Sequence, residues 1–316
     1  MPFQRLRRAL LTAACASLLA ACGGSSEVES ELVPTRFVSF GDAFADVGQR
    51  GSNYTINDRT TNNWTQELAG RYARPMAVTA SGGWSYATGS ARVTVKPDAA
   101  GNAATPTITE QVSSFLASQT IGANDVVIVS GGISDIVAEV AALNAGRQTQ
   151  AQATANIRQA ARDLGAQVRR VVQAGGKHVV VVGTYNLGRS PWAITTAQVP
   201  LLTELSGRFN DELLVSIVDL GSNVLYVDAA LYFNLVTSAP AAYGLRDATS
   251  IACTSADPGQ GIGTGTGQVN SALCTPSTLL PGIDPAAYLF ADRLYFTPVG
   301  NRLFGDYAFD RMKERW

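Results

Sequence analysis

Histidine is nearly missing from this chain, which has one, His178, among 316 residues. A serine hydrolase of the familiar type needs a histidine to accept the serine proton, and zinc sites usually combine several histidine and cysteine ligands. His178 opens an apolar run at 179–182, so a histidine at the start of a buried strand, bonded to a loop or to water, is favoured over a catalytic base. The sequence therefore predicts no metal site and offers no evident base.

Two common catalytic motifs are also missing. The nucleophile elbow requires Gly-x-Ser-x-Gly, and the nearest segment, residues 132–136, lacks the closing glycine. The glycine-rich run at 258–267 has neither a Gly-Lys-Ser/Thr ending nor a preceding strand. A surface loop is therefore favoured there over a phosphate-binding loop, and no cofactor is expected.

Charge is scarce, since 16% of the residues are charged and the formal net charge is −1. The first 21 residues carry three arginines and no acid, so the remainder is more acidic still. The sequence contains no cluster of basic residues of the kind that binds nucleic acid, so a nucleic-acid partner is not expected. With 46% hydrophobic residues, no internal repeat and no polar linker, residues 34–316 are expected to form one large domain with an ample core.

The N-terminus has the pattern of an export signal. A basic stretch precedes an apolar run at 9–21 that is too short for an ordinary membrane-spanning helix, which predicts a signal peptide at 1–21. Residues 19–23 (Leu-Ala-Ala-Cys-Gly) resemble a bacterial lipobox, which implies acylation of Cys22, a membrane lipid anchor and, because Gly23 is not aspartate, the outer membrane. Residues 22–33 then form a polar tether. An uncleaved anchor helix is the alternative.

The four cysteines agree with export. Cys15 would leave with the signal peptide and Cys22 would be acylated, which leaves Cys253 and Cys274 as an even pair in an oxidising compartment. We expect these two to form a disulfide. Closing a glycine-rich segment of this length should contribute about 3 kcal/mol.

Short β-branched runs alternate with helical patterns, which is typical of a parallel sheet covered by helices on both faces. The expected strands are residues 36–40, 125–130, 178–183 and 223–227. An apolar stripe predicts a long helix at 151–173, which Gly175 and Gly176 end. A second helix carries Leu202, Leu205, Phe209 and Leu213, and a final helix begins near Pro298. The sequence thus predicts an α/β fold.

Residues 40–48 read Phe-Gly-Asp-Ala-Phe-Ala-Asp-Val-Gly and resemble the first signature block of the GDSL/SGNH esterases and lipases. Residues 62–64 (Asn-Asn-Trp) with Leu68 resemble the Asn-x-x-Trp segment of that family. Residues 86–91 resemble its second block, and residues 132–135 lie where the family has Gly-x-Asn-Asp. The last block of the family, Asp-x-x-His, aligns with residues 292–295. The resemblance spans nearly the whole domain and implies a flavodoxin-like three-layer αβα sandwich.

The same alignment assigns roles to single residues. Ala43 occupies the position of the nucleophilic serine, and Tyr295 that of the histidine base, while Asp292 keeps its place in the triad. Gly89 matches the glycine whose backbone N–H helps to form the oxyanion hole, and Ser134 replaces the asparagine donor. A methyl group cannot attack a carbonyl, and a phenol is a poor general base at neutral pH.

These replacements imply a non-hydrolysing relative. We expect the backbone N–H groups of Ala43 and Gly89, the Ser134 hydroxyl and neighbouring Asp42 to surround a cleft that holds an acylated glycan, a lipid or a similar small molecule. A vestigial cleft in an envelope scaffold is the first alternative. The second alternative is an active ester hydrolase with a rearranged site, which would use Ser39, Ser134 or Thr297 as nucleophile, or water activated by Asp42, Asp46 or Asp292.

Overall fold

The computed structural model describes residues 32–58, 60 and 62–316. The predicted signal peptide at 1–21, the acylated Cys22 and nearly all of the tether lie outside the described residues. These interpretations therefore stay predictions.

The centre of the domain is a sheet of four parallel strands that follow one another in chain order. Their side chains are largely buried, as expected for β-branched runs covered on both faces. The four expected strands are confirmed to within two residues at each end. The strands are β1 (Phe37–Phe40), β2 (Val126–Ser130), β3 (His178–Val182) and β4 (Val224–Tyr226).

A short segment lengthens this sheet beside β1. The Ser39 N–H donates to the Trp84 carbonyl at 3.1 Å, the Tyr86 N–H donates to the Ser39 carbonyl at 2.7 Å, and the Thr88 N–H donates to the Gly41 carbonyl at 3.0 Å. Residues 84–88 therefore run alongside β1 in the same direction. This pairing brings the segment that follows Thr88 to the carboxyl end of β1.

Eight α-helices lie in the part of the chain that the structure describes. The three helices expected from the sequence are confirmed, and capping boxes at Asn63, Thr107 and Thr149 begin α1, α2 and α4. None of the eight has both the length and the apolar character needed to cross a membrane. They are α1 (Trp64–Arg71), α2 (Ile108–Ser118), α3 (Ile133–Asn144), α4 (Gln150–Gln173), α5 (Pro191–Thr195), α6 (Val199–Ile217), α7 (Ala229–Ser238) and α8 (Pro298–Arg315).

The helices form a layer on each face of the sheet. Phe37 and Phe40 are three positions apart on β1, so their side chains point to opposite faces of the sheet. Phe37 packs against Tyr72, which follows α1, and Tyr72 in turn contacts Phe309 on α8. On the other face Phe40 packs against Phe115 of α2, whose neighbour α4 covers β2 and β3 and packs against α6. The α/β fold with a parallel central sheet is thereby confirmed.

A second, two-stranded parallel sheet joins β5 (Asp247–Ile251) to β6 (Tyr288–Phe290). The expected disulfide between Cys253 and Cys274 is confirmed, with a Cα–Cα distance of 6.0 Å. Both cysteines are buried in a small cluster with Ile56, Ala252 and Ala291. The disulfide therefore fixes the loop after β5 to the segment that leads to Asp292.

Candidate active site

The candidate site lies at the end of the sheet where the parallel strands finish, which is where parallel α/β folds usually bind their ligands. The carboxyl ends of β1 and β2 meet the segment after Thr88 there. Gly41 follows β1, and a β-carbon there would lie 2.8 Å from the Ser130 carbonyl oxygen, so the two backbones need a glycine to approach so closely. The Gln111 side chain accepts from the Gly41 N–H at 2.8 Å and donates to the Gly41 carbonyl at 2.9 Å. These bonds fix the backbone just before Asp42 and Ala43.

Asp42 connects this turn to the start of α3. Its Oδ1 accepts from the Phe44 N–H at 3.0 Å, and its Oδ2 accepts from the Ser134 N–H at 3.2 Å. The carboxyl is completely buried, and burial raises its pKa to about 6 even though the backbone hydrogen bonds act in the opposite direction. Asp42 and Ser134, both named as site residues from the sequence, are thus in direct contact.

Gly132 sets the position of Ser134 at the beginning of α3. Its φ of +110° is in a region that favours glycine, and a β-carbon there would lie 2.4 Å from the Phe209 ring. Ser134 is 1% exposed, and its hydroxyl lies close enough to the Asp42 carboxyl to act against the rise in the pKa of that group. The hydroxyl therefore lies in the interior and does not face solvent.

Gly89 does not offer the free donor that the sequence suggested. Its N–H donates to Asp46 Oδ2 at 2.8 Å. Asp46 Oδ1 accepts from the N–H groups of Gly48 and Gln49, at 2.9 and 2.7 Å. Because the one N–H of Gly89 is already bonded, the expectation that it points unpaired into a cleft is wrong for this conformation.

Tyr54 covers Gly89 from the opposite side. A β-carbon on Gly89 would lie 1.9 Å from the Tyr54 hydroxyl oxygen, so the phenol rests directly against the glycine. The Tyr54 ring also meets the Tyr295 ring edge to face, with centroids 5.3 Å apart. Tyr54 thus lies between the position expected to supply an oxyanion donor and the position expected to carry the base. Its loop gave no sequence signal of this contact.

Asp292 holds the backbone of the loop that carries Tyr295. Its Oδ1 accepts from the N–H groups of Leu294 and Tyr295, both at 2.7 Å, and its Oδ2 accepts from the Ser271 N–H at 2.9 Å. Burial raises its pKa in spite of these bonds. Both oxygens are therefore engaged in shaping the loop.

Tyr295 cannot act as a general base in this environment. It is 2% exposed, and burial is the main reason that its pKa is raised well above that of a free tyrosine. The carboxyls of Asp42 and Asp292 raise it further, since each disfavours a second negative charge. The phenol therefore stays neutral at physiological pH.

The residues predicted for the site lie together below the surface. Asp42 bonds to Ser134, Tyr54 bridges Gly89 and Tyr295, and Asp292 holds the Tyr295 backbone. Ala43, in the turn after Asp42, is 1% exposed. In this conformation Tyr54 and Tyr295 fill the space beside Gly89, where a ligand-binding cleft was expected.

His178 lies at the opposite end of the sheet, where the strands begin. It begins β3 and is in register with Val126 at the beginning of β2, whereas the site lies where the strands end. Its ring packs edge to face on Trp316, with centroids 5.0 Å apart, and burial lowers its pKa. This position agrees with a histidine at the start of a strand and separates it from every residue of the site.

One charged cluster next to the site was not assigned a role from the sequence. Asp135 follows Ser134 and accepts from the Val93 N–H at 3.1 Å and from Arg92 Nε at 3.4 Å. Burial raises its pKa to about 7 although Arg92 lowers it. Arg92 also pairs with Glu139 at 2.6 Å. The residue after the family's asparagine position is an aspartate in the aligned motif, and this was the available signal.

Among residues 32–58, 60 and 62–316, no group of three histidine, cysteine or acidic side chains is arranged to hold a metal ion. The buried carboxylates bind backbone N–H groups instead. These carboxylates therefore hold the loops of the site in place and are not arranged as metal ligands.

Comparison with known proteins gives two results. A family model described as GDSL-like lipase/acylhydrolase matches residues 37–308. The chain is also similar to an uncharacterized protein in the trpE-trpG intergenic region of Pseudomonas putida, with 25% identity over 48% of this chain and 24% of that protein. It is 28% identical to esterase EstA of Pseudomonas aeruginosa, and likewise to that of Pseudomonas putida, over 44% of this chain and 20% of each esterase. The matches thus span a quarter or less of these relatives.

Proposed function

The chain belongs to the GDSL-like lipase/acylhydrolase family, and we propose that it is a member that does not hydrolyse esters but binds an acylated ligand, a glycan or a lipid, at the cell envelope. In this proposal Ala43 and Tyr295 stand where a hydrolytic member carries serine and histidine. Family membership alone does not decide activity, because one fold supports many functions.

The observation that carries the proposal is the position of Tyr54 between Gly89 and Tyr295. An acyl carbonyl needs an unpaired N–H donor and a nucleophile beside it. The Gly89 N–H is bonded to Asp46, its other side touches Tyr54, and residue 43 has a methyl group. A substrate carbonyl at this place therefore meets neither a free Gly89 N–H nor a hydroxyl on residue 43.

The alternative, a rearranged hydrolase, has one chemically suitable pair in Ser134 and Asp42. The Ser134 hydroxyl lies beside the Asp42 carboxyl, and burial raises the pKa of that carboxyl to about 6. Both residues are nearly inaccessible, however, with exposed fractions of 1% and 0%. Because both groups are closed off from solvent, an ester reaches them only if the surrounding side chains move, so the geometry favours the non-hydrolysing function.

A location at the envelope is proposed from the N-terminal sequence and is supported by the disulfide. The apolar run, the lipobox-like residues 19–23 and Cys22 imply export and lipid anchoring. The Cys253–Cys274 disulfide is of the kind that persists in an oxidising compartment.

An ester hydrolysis assay tests this function. Purified protein is incubated with 4-nitrophenyl acetate and 4-nitrophenyl butyrate, and the release of nitrophenol is compared with that in buffer and with that by a hydrolytically active family member. We expect no turnover above the uncatalysed rate. Turnover that disappears in Ser39→Ala, Ser134→Ala or Asp292→Asn would establish the rearranged hydrolase instead.

A further inference from the structure

We propose that a groove with both polar and apolar lining groups, formed beside the buried site between α2 and the loops after Asp46 and Thr88, binds a neutral oligosaccharide. The groove has a volume of about 700 Å³. This is within the range of about 300–1,000 Å³ that is usual for small-molecule sites. The inference extends the ligand-binding part of the proposed function, on which it rests, by naming the place and the class of ligand.

The groove is next to the buried site but does not include its closed interior. Thr88 and Gln111 both contribute to its wall. Both are also bonded to Gly41, through the Thr88 N–H at 3.0 Å and the two ends of the Gln111 amide. A molecule in this solvent-accessible groove would therefore contact residues that bond directly to Gly41, which immediately precedes Asp42 and Ala43.

The side chains of the groove match the two chemical features of a sugar ring. Carbohydrates offer many hydroxyl groups together with weakly polar ring faces, and aromatic side chains with nearby hydrogen-bonding groups suit both. The lining contains the amide groups of Gln49 and Asn102, the hydroxyl groups of Thr79 and Ser114, and the ring of Tyr86. Gln49 Nε2 donates to the Ser85 carbonyl at 3.0 Å, the Thr79 hydroxyl donates to Gln49 Oε1 at 3.5 Å, and Asn102 Oδ1 accepts from the Ala104 N–H at 2.9 Å. A sugar hydroxyl would therefore use the second N–H or lone pair of these amides, together with the Ser114 hydroxyl and the Tyr86 ring.

Tyr86 is well suited to form a fixed stacking surface. Its ring packs against Phe40 with centroids 5.5 Å apart and against Phe115 at 5.8 Å. The residue remains partly accessible. Because these contacts already hold the ring in place, a ligand that stacks on it loses little side-chain entropy.

The charges of the groove argue for a neutral ligand. Its charged side chains are Arg50 and Glu110, which carry opposite charges. Arg50 donates to the Thr105 hydroxyl and lies 4.0 Å from Asp98. Glu110 pairs with Lys96 at 2.8 Å and accepts from the Thr107 N–H. A phosphate or carboxylate ligand would have to compete for an arginine that is already engaged.

An acyl chain fits this lining less well than a sugar does. Lipid tails need a continuous apolar surface, because each unpaired polar group that they cover costs free energy. The apolar side chains of the groove, Ala80, Ala104 and Pro106, are short and share its lining with amides and hydroxyls. A saccharide bearing a small acyl group fulfils both the chemistry of this groove and the proposed function.

The test uses purified full-length protein on an array of immobilised oligosaccharides, neutral and acidic, with and without O-acetyl groups, followed by calorimetric titration of the best ligand. The Ser114→Trp variant fills the groove from an exposed position on α2. Ala117→Trp is the matched control, because Ala117 is exposed on the same helix but does not line the groove. Thermal unfolding verifies that both variants fold.

We expect neutral oligosaccharides to bind and Ser114→Trp to weaken the best of them by at least about tenfold, because the indole excludes both stacking and hydrogen bonds. Ala117→Trp should bind like the original chain. Tyr86→Leu, which keeps an apolar side chain against Phe40 and Phe115, should also weaken binding because it removes the aromatic face.

The inference is overturned if the protein binds only acidic oligosaccharides, if it binds none, or if Ser114→Trp leaves neutral binding unchanged. Vesicles of phosphatidylglycerol and phosphatidylethanolamine provide the lipid comparison. The vesicle measurement uses the Cys22→Ser variant, which lacks the proposed lipid anchor, so that binding of this variant to vesicles alone would keep a ligand-binding function but refute the saccharide. Ester turnover by the same sample would refute the non-hydrolysing function and leave the groove unaffected, so the two failures can be told apart.

Discussion

The hydroxyl of Tyr54 rests on the α-carbon of Gly89, and a β-carbon at residue 89 would come within 1.9 Å of it. The glycine is therefore required by a side chain that is 35 positions away in the sequence, independently of any catalytic role. The contact also places the Tyr54 phenol against the backbone of Gly89, whose N–H donates to Asp46.

We expect Gly89→Ala to lower the free energy of unfolding by about 1–3 kcal/mol, the usual cost of overpacking a core. Chemical denaturation measures the effect. In the Tyr54→Ala background the added methyl group meets open space, so the same substitution should cost clearly less. Equal costs in both backgrounds would show that Tyr54 does not cause the requirement for glycine.

Reinstalling the expected catalytic pair should restore little activity by itself. In Ala43→Ser/Tyr295→His the serine and the imidazole would still occupy buried positions, Tyr54 would still lie against Gly89, and the Gly89 N–H would still be bonded to Asp46. Adding Tyr54→Ala opens access, so hydrolysis of 4-nitrophenyl acetate should rise by at least about tenfold over the double variant. The Tyr54→Ala single variant is the control. High activity of the double variant alone would contradict the blocking role of Tyr54.

The buried carboxylates predict that stability falls as pH rises from about 4 to 7. Burial raises the pKa of Asp42 and Asp46 to about 6 and that of Asp135 to about 7, from 3.8. In this interval the folded state binds more protons than the unfolded state, so the free energy of unfolding decreases with pH. The lowered pKa of His178 acts in the opposite direction near pH 6.

Denaturation at a series of pH values checks this dependence. Asp135→Asn removes the titrating group with the highest of these three pKa values, and the variant keeps His178. The difference between the two curves therefore isolates Asp135, and the variant should have a shallower slope between about pH 4 and 7. Parallel curves would show that Asp135 titrates normally.

Reduction of the Cys253–Cys274 disulfide should lower the free energy of unfolding by about 3 kcal/mol, because the open loop has more conformations in the unfolded chain. Denaturation with and without dithiothreitol gives the value. A Cys253→Ala/Cys274→Ala variant should match the reduced protein and should no longer respond to the reductant. A response that persists in this variant would indicate a different disulfide.

Cys22→Ser should abolish the membrane anchor if the lipobox-like segment is processed as proposed. In a bacterial host, the original chain should sediment with membranes and gain the mass of acyl chains on its first mature residue. The serine variant should lack this mass and leave the membrane fraction. Cys15→Ser serves as the control and should behave like the original chain. Unchanged membrane association of Cys22→Ser would contradict the lipid anchor.

The sequence could predict the helices and strands that have a long, regular pattern of apolar residues, because that pattern identifies the buried side of the element. The valine-rich β3 and the apolar stripe of α4 are such cases, and both ends of α4 are marked, by Thr149 and by Gly175. The short strands β5 and β6 and the helix α7 carry no comparable pattern. Their existence depends on tertiary contacts, which local sequence does not encode.

The site was predictable at the level of its aligned positions but not of its contacts. Asp42 and Ser134 could be placed together because each follows a neighbouring parallel strand. The bond from Gly89 to Asp46 joins residues 43 positions apart, and Tyr54 lies in a loop without regular structure. Such contacts depend on how loops pack against each other, so the filled interior could only be seen in three dimensions.

The amide of Gln111 occupies both hydrogen-bonding groups of Gly41, much as a neighbouring strand would. The main chain leading to residue 43 is thus held by a helix and does not depend on which side chain that residue carries. Exchanging a methyl for a hydroxymethyl group at this position alters reactivity within a fixed frame. Point substitutions at residue 43 can therefore exchange a catalytic for a binding function during evolution while the fold stays the same.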